Sequence, residues 1–449
     1  MAILVDKQTA LRMYEKVFEE LISRDGSEPE DLRVLRRGAF TRFKELGFPT
    51  NKHEEWRFTN VSPVTTTYFS TRQHESTSVR IPDPARWSFA GDDAVTVVLV
   101  NGIWSEELSN VRDLPPGIEV LPLPRAIALR REEIGANLGK ITDSESNPFS
   151  ALNTALFDDG VLIHVHAGAS ISRPVQILAF SAPSERPLVI FPRILVVAGR
   201  DSSVSLVEMY AGDEGGPGFT NAITEVYLAE GARVEHDKVQ IESSKHYHIA
   251  TMAVRQAERS VFTSNAISFG GLLVRNGVEV TLAGRDADCT LNGLSVAAGT
   301  QLVDNHTSID HATEHCTSHE LYKTILGGSA RGVFNGKIFV RPGAQKTDAK
   351  QTNKTVLLST EALMHTKPQL EIFADDVKCT HGATIGQLDD EQLFYLRARG
   401  IDRDTARDML TLAFANDVVS RIHVDPLKEH LEQLLRDRLH AGHARDNHD

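Results

Sequence analysis

Two textures alternate along the chain. Over the first ninety residues, apolar positions recur at helical spacing. In DKQTALRMYEKVFEELISR, Leu11, Tyr14, Phe18, Leu21 and Ile22 share one face, and in EDLRVLRRGAFTRFKELGFP so do Leu32, Leu35, Ala39, Phe43 and Leu46. Gly47 and Pro49 stop the second helix in the order expected of a C-terminus. NKHEEWRFTNVSPV follows, dense in charge around Trp56, and reads as a loop or a short docking segment. Near residue 95 the helical period gives way to short β-branched runs separated by glycine and polar residues. VLIHVHAGASIS, ILVVAGRDSSVSLVE, VYLAEGARVEHDKVQI, VTLAGRDADCTLNG and TILGGSARGVFNGKIFV share this form. After residue 388 helix returns. Asp389 caps LDDEQLFYLRARGI, Gly400 ends it, and Ala406, Met409, Leu410, Ala413, Phe414, Val418 and Ile422 form a stripe on the next segment. Asp425 and Pro426 open a last helix, and the tail HAGHARDNHD is polar and expected to fray. The expected organisation is a helical N-terminal domain over 1–95, a β-rich core over 96–387 and a helical C-terminal domain over 388–449.

The glycines of the middle region carry a period. Two neighbouring intervals, 284 to 299 and 328 to 343, are 15 residues long, and two others, 168 to 199 and 199 to 231, are 31 and 32. The 231 to 284 interval breaks the pattern, and Glu258 stands where a glycine is expected. Self-similarity at a short period, with each unit stacking on the next, favours a β-solenoid, a parallel β-helix, over a β-sandwich.

Composition narrows the function classes. The chain has 449 residues, 41% of them hydrophobic, enough for about two to three domains. A net charge of -13 argues against a broad nucleic-acid footprint. Three cysteines, Cys289, Cys316 and Cys379, are too few for a secreted disulfide framework and fit a reducing compartment. MAILVDKQTALRMYEK does not read as a secretory signal, and apolar stretches such as AVTVVLV fall short of the ~20 residues of a membrane helix. The expectation is a cytoplasmic protein that binds neither nucleic acid nor membrane.

Phosphate-loop, dinucleotide and nucleophile-elbow motifs are absent, which argues against a self-sufficient enzyme. The sharpest chemical signal is DDVKCTHGATIG. In a strand, Val377, Cys379 and His381 share one face, with Lys378 and Thr380 on the other. A thiol and an imidazole side by side suit iron or zinc, yet two ligands leave a four-ligand site half built. Other strands or a partner chain must supply the rest, unless Cys379 is simply a small buried hydrophobe. DNHTSIDHATEHCTSHELY gathers His306, His311, His315, Cys316 and His319; a polar ladder along a solenoid wall is favoured there over metal binding. Lys346, Lys350 and Lys354, spaced by four, read as a solvated strip before a cationic lining.

DDVKCTHGATIG, with the flanking QLDDEQLFYLRARGI and AQKTDAKQTNKTVLLSTEALMHTKPQLEIFADD, closely resembles the SufB/SufD family of the SufBCD iron–sulfur cluster assembly complex. DNHTSIDHATEHCTSHELYKTIL, NPFSALNTALFDDGVLIHV and KHEEWRFTNVSP extend the resemblance over most of the chain. SufB-type chains carry glutamate after the histidine; Gly382 stands here, and with KHEEWRFT and the helical N-terminal region this points to the SufD branch. Thr380 departs from a common serine. The resemblance implies a right-handed parallel β-helix between helical ends and a scaffold without catalysis of its own. It implies pairing with SufB through the β-helix, docking of the SufC ATPase on C-terminal helices at about 389–439, and room for a homodimer in isolation. It also implies that His381, with Cys379 as the weaker candidate, meets a nascent cluster or iron shared with SufB and not stably held by this chain alone. The alternative is a β-helix carbohydrate-active enzyme of the polysaccharide-lyase kind, disfavoured by the cysteine usage and the leader-free N-terminal pattern.

Overall fold

The computed structural model describes residues 6–24, 28–71, 84–212 and 215–446. Its strands form two sheets of ten, and from residue 193 onward successive strands alternate between them. One wall stacks Ser203–Gly212, Arg233–Ile241, Val261–Ser268, Asp288–Ala297, Thr317–Leu326, Asp348–Leu357 and Lys378–Gly386. The other stacks Arg193–Ala198, Phe219–Leu228, Tyr247–Gln256, Leu273–Leu282, Leu302–His311, Arg331–Val340 and Leu363–Ile372. Pairing along both walls is parallel and in register: Cys289 aligns with Phe262 and Ser318, and Val303 with Val274 and Gly332. This is a β-solenoid of about eight turns with helices at both ends. The antiparallel strands Ile103–Trp104 and Ile118–Pro122 close the two sheets at the N-terminal end.

One corner of the solenoid recurs once per turn in the left-handed conformation. Gly168, Asp201, Gly231, Arg259, Asp286, His315 and Lys346 all adopt positive φ, between 53° and 73°. At each, the backbone N–H donates to a carbonyl of the next turn, as in Gly168 to Arg200 at 2.7 Å, Gly231 to Glu258 at 2.9 Å and His315 to Gln345 at 2.9 Å. Left-handed backbone costs a non-glycine residue about 1–2 kcal/mol; the recurring inter-turn bond offsets it. Arg259, the neighbour of Glu258, is the residue that replaces glycine in the irregular interval. Gly231 is different, because a Cβ there would stand 2.1 Å from Asp201 Oδ1.

Three apolar layers hold the walls. Between them lies a lumen core that includes Val234, Phe262, Leu291, Val254 and Val280. On the outer face of the second wall, the N-terminal helices Lys7–Arg24 and Glu30–Leu46 and the helix Pro148–Leu156 pack around Phe43, Phe149, Phe219 and Ile249. On the outer face of the first wall, the helices Arg403–Val419 and Asp425–Asp446 cover Val207, Met209, Ile267 and Phe269. Strands covered on both faces lose alternation, so Phe219–Leu228 is buried at nearly every position.

Several sequence readings shift. Helices Leu123–Leu129, Arg131–Asn137 and Pro148–Leu156 fall in the stretch read as strand. All nine residues of the last are buried, so it carries no amphipathic stripe to read. The first helix buries Ala10, Met13, Tyr14 and Val17, a face rotated from the expected one. In Arg403–Val419 the buried face is Ala406, Thr411, Ala415, Val418 and Val419, while Met409 is exposed. The last helix continues to Asp446; residues 447–449 of the tail lie outside the described residues.

The second wall also buries an ion pair. Arg193 Nη2 lies 2.5 Å from Glu225 Oε2, both side chains fully buried, and Glu225 accepts the Gly139 N–H as well. Arg193 donates to Asn153 and Thr154 of the all-buried helix, which fastens that helix to the wall. Glu225→Ala leaves the guanidinium buried and uncompensated, at an expected cost of about 3–5 kcal/mol. Chemical denaturation measures this; a loss below about 1 kcal/mol would show that the pair does not fasten the helix.

Candidate functional site on the terminal turn

Lys378–Gly386 and Leu363–Ile372 are the last strands of their sheets. Each pairs with the turn before it, and among the described residues neither has a strand on its other edge. Cys379 aligns with Ala349 and His381 with Gln351, so both face the lumen side. Val377 and Cys379 pack against the small apolar cluster of Ile338, Val340, Ala344, Ala349 and Ala374 that closes this end. Cys379 is half-buried; Thr380, His381 and Gly382 are exposed. Among the described residues no hydrogen bond or ion pair engages the His381 imidazole. A Cβ at Gly382 would meet nothing within 4 Å, so glycine here leaves the surface beside the imidazole bare.

Burial, with the Asp348 carboxylate adding to it, pushes the Cys379 thiol up from its ordinary range. It is therefore a protonated thiol at neutral pH, and metal ligation would require its deprotonation. Beneath His381 the inward column continues to Gln351 and Glu320, in register over three turns. The Gln351 amide donates to Glu320 Oε2. Burial lifts the Glu320 carboxyl to about 7. Gln351 Oε1 and Asn353 Oδ1 are buried without a hydrogen-bond partner just inside the terminal turn.

The lumen further back is polar too, and its charged groups contact one another. Glu208 accepts from Tyr210 at 2.8 Å and Thr224 at 2.8 Å and lies 3.0 Å from His236 Nε2. Burial alone would raise this carboxyl; the hydrogen bond and charge of His236 outweigh it and hold it at about 2. Lys238 reaches Asn276 at 2.9 Å and His248 at 3.1 Å, and burial pulls its amine down to about 8. Glu242 lies 3.1 Å from His246 and 2.9 Å from His248. Sequence reading missed this network because its members lie on different turns, and only the registered period brings them together.

The structure separates the histidine group of residues 306–319. His306 lies on the outer face, 2.9 Å from Asp304 and 3.3 Å from Glu55 of the docked 54–60 segment. His311 faces inward and contacts Ser318 Oγ at 2.8 Å, with its imidazole pushed down by burial to about 4. His315 stands at the left-handed corner, Cys316 is buried beside it, and His319 points to solvent. Lys350 and Lys354 lie on the exposed outer face, and Lys346 pairs with Asp376.

The helix Asp390–Arg397 begins four residues past the terminal strand, capped by Asp389 through Glu391 and Gln392. None of its residues is buried; Phe394 is 74% and Tyr395 57% exposed, and Arg399 lies over the Tyr395 ring at 3.4 Å. Among the described residues no helix is long and apolar enough to cross a membrane.

Comparison with known proteins identifies the fold's relatives. The family model for the SUF system FeS cluster assembly SufBD core domain matches residues 180–414, and that for the SufBD protein N-terminal region matches residues 7–177. An iron–sulfur cluster assembly SufBD family protein of Synechocystis is 32% identical over 95% of this chain and 96% of its own length. The iron–sulfur cluster assembly protein SufD of Escherichia coli is 28% identical over 98% of this chain and its full length. The chloroplastic protein ABCI7 of Arabidopsis thaliana is 30% identical over 93% of this chain and 89% of its own. The carbohydrate-enzyme alternative finds no support in these matches.

Glu320 offers a test of the lumen's electrostatics. Its folded carboxyl titrates near 7 against an unfolded value of 4.5, so its contribution is full below 4.5 and is lost as pH rises through 7. Glu320→Gln removes that dependence. Relative to the parent, the variant gains about 2–3 kcal/mol between pH 4.5 and pH 8, read by denaturant unfolding at both values. A pH-independent difference would contradict the raised carboxyl.

Proposed function

The chain belongs to the SufB/SufD family of SUF-system iron–sulfur cluster assembly proteins, and from that premise we propose that it is a cytoplasmic, non-ATPase scaffold subunit whose terminal turn forms half of a cluster-assembly site. The observation that carries this reading is the position of Cys379 and His381 on an edge strand that is paired on one side only among the described residues, at the open end of the solenoid. One thiol and one imidazole fall short of the four ligands of a closed site, and an edge strand is a template for another chain. A SufB-type β-solenoid laid against this edge completes both the sheet and the ligand set. The exposed Leu363, Ile372, Phe373 and Ile385 rim the same end and supply apolar contact area. A second copy of this chain competes for the same edge when the partner is absent. Iron and sulfide are cargo, passed through the shared site rather than kept.

A SufC-type ATPase docks on the exposed face of the helix Asp390–Arg397. Aromatic and arginine side chains anchor such contacts, and the exposed Phe394 and the stacked pair Tyr395 and Arg399 offer one. The short link from Gly386 to Asp389 starts this helix just past the end of the His381 strand. The two later helices do other work: they cover Val207, Met209 and Phe269 of the first wall. Removing the whole C-terminal unit would expose that wall, so point variants test docking more cleanly.

His381→Ala, assembled with SufB-type and SufC-type partners and reconstituted anaerobically, is expected to lose about tenfold or more of its iron and sulfide loading. Its exposed imidazole makes the stability change small, under about 1 kcal/mol. Full loading by the variant, or loss of its fold, would contradict the assignment. Phe394→Ser with Tyr395→Ser is expected to weaken ATPase binding by about 2 kcal/mol or more, measured by titration calorimetry with circular dichroism unchanged. Unchanged affinity would move the docking site elsewhere.

A further inference from the structure

At the opposite end of the solenoid a second group of metal-ligating side chains converges. The strand Gly160–Val165 turns Val161, Ile163 and Val165 into the lumen core, which places His164 on the outer face, and His166 follows just past the strand. Glu119 stands directly across from His164 in the antiparallel register of Ile118–Pro122. One ligand atom each from Glu119, His164 and His166 lies within 4.8 Å of the other two. The His166 Nε2 atom is 3.4 Å from Glu119 Oε1, and the two imidazole rings stand 5.1 Å apart. The helix Arg131–Asn137 adds Glu133, whose Oε1 is 3.1 Å from His164 Nδ1. Arg130 sits among them: its guanidinium pairs with Glu119 and, at 2.9 Å, with Glu133, and its Nη1 is 3.3 Å from His164 Nδ1.

We propose that Glu119, His164 and His166 bind a divalent transition-metal ion, and that Arg130 is the cation that holds the carboxylates in its absence. The donor set decides the metal class. Two borderline nitrogens and a carboxylate oxygen suit Fe(II) or Zn(II); magnesium and calcium prefer oxygen alone. The charges fit exchange. Glu119 and Glu133 with the guanidinium sum to one negative charge, and with a divalent ion in its place they sum to zero. Arg130 accounts for the carboxylates but leaves unexplained why two imidazoles flank them. Donors about 2.1 Å from one ion stand roughly 3–4 Å apart, so ligation needs only a side-chain adjustment. His166 is exposed and the other two ligands are half-buried, which leaves an entry path and an open coordination position. The site shares no residue with the terminal turn and does not depend on the assembly role proposed above.

The test uses the full untagged chain, stripped with a chelator and desalted. It is titrated with Zn(II) alone and, anaerobically, with Fe(II) alone; Co(II) provides a visible spectrum that reports nitrogen and oxygen ligation. One equivalent of saturable binding is expected. Glu119→Gln, His164→Ala and His166→Ala are each expected to lower affinity at least tenfold, with circular dichroism unchanged. Arg130→Gln is expected to raise affinity, because it removes the competing cation; a purely structural salt-bridge role for the cluster would not produce that gain. Cys379→Ala with His381→Ala is expected to leave this equivalent in place, which separates it from the terminal site. Equal binding by the parent and by His164→Ala/His166→Ala would overturn the proposal. So would weaker binding by Arg130→Gln, or the absence of a saturable equivalent in the parent.

Discussion

The structure depends on one repeated interaction: parallel, in-register pairing of each turn with the next, pinned at a left-handed corner by a backbone hydrogen bond. The bond at each corner runs to the following turn, so the position of a turn fixes the next one. The arrangement buries two walls of strands with little helical periodicity and aligns side chains from turns about thirty residues apart. Its geometric consequence is an end that cannot satisfy itself. Antiparallel strands close the sheets at the N-terminal end. At the C-terminal end the last two strands keep a free edge, and solenoids require a cap there.

That free edge gives the Cys379 and His381 pair its meaning. In the middle of a wall the same pair would be buried, as His236 and His248 are. On the last turn it is accessible and has too few ligands. Deep inside the lumen, Glu208, Lys238 and Glu242 are ionisable groups held by mutual contacts, which such buried charges require. Just beneath His381, acceptors on Gln351 and Asn353 go unmatched.

Much of this was legible in the sequence, and what escaped has physical causes. The 15-residue glycine interval spans half a turn and the 31- and 32-residue intervals a whole one, which gave the solenoid. Glycine fills only two of the seven left-handed corner positions, since aspartate, arginine, histidine and lysine accept that backbone when an inter-turn bond offsets it; the broken interval was therefore read one residue early. The Pro148–Leu156 helix was invisible because it is buried all round. Strand parity located Cys379 and His381 correctly on one face. The same parity applied to VLIHVHAGASIS would have paired His164 with His166; their cross-strand partner Glu119 is 45 residues earlier, beyond any local pattern. The group at 306–319 shows the converse: proximity in sequence, but side chains sent to a corner, the lumen and two outer faces.

The central claim is that the terminal strand is an edge waiting for a partner, and amide hydrogen exchange tests it most directly. In a strand paired on one side only, every second N–H points to the open edge. In the isolated chain those amides of residues 378–386 should exchange quickly while the strands of the middle turns stay protected. On binding a SufB-type partner, the amides of the terminal strand should become protected and those of the 233–241 and 261–268 strands should not change. Protection of the terminal strand in the isolated monomer, or no change there when the partner binds, would contradict the account.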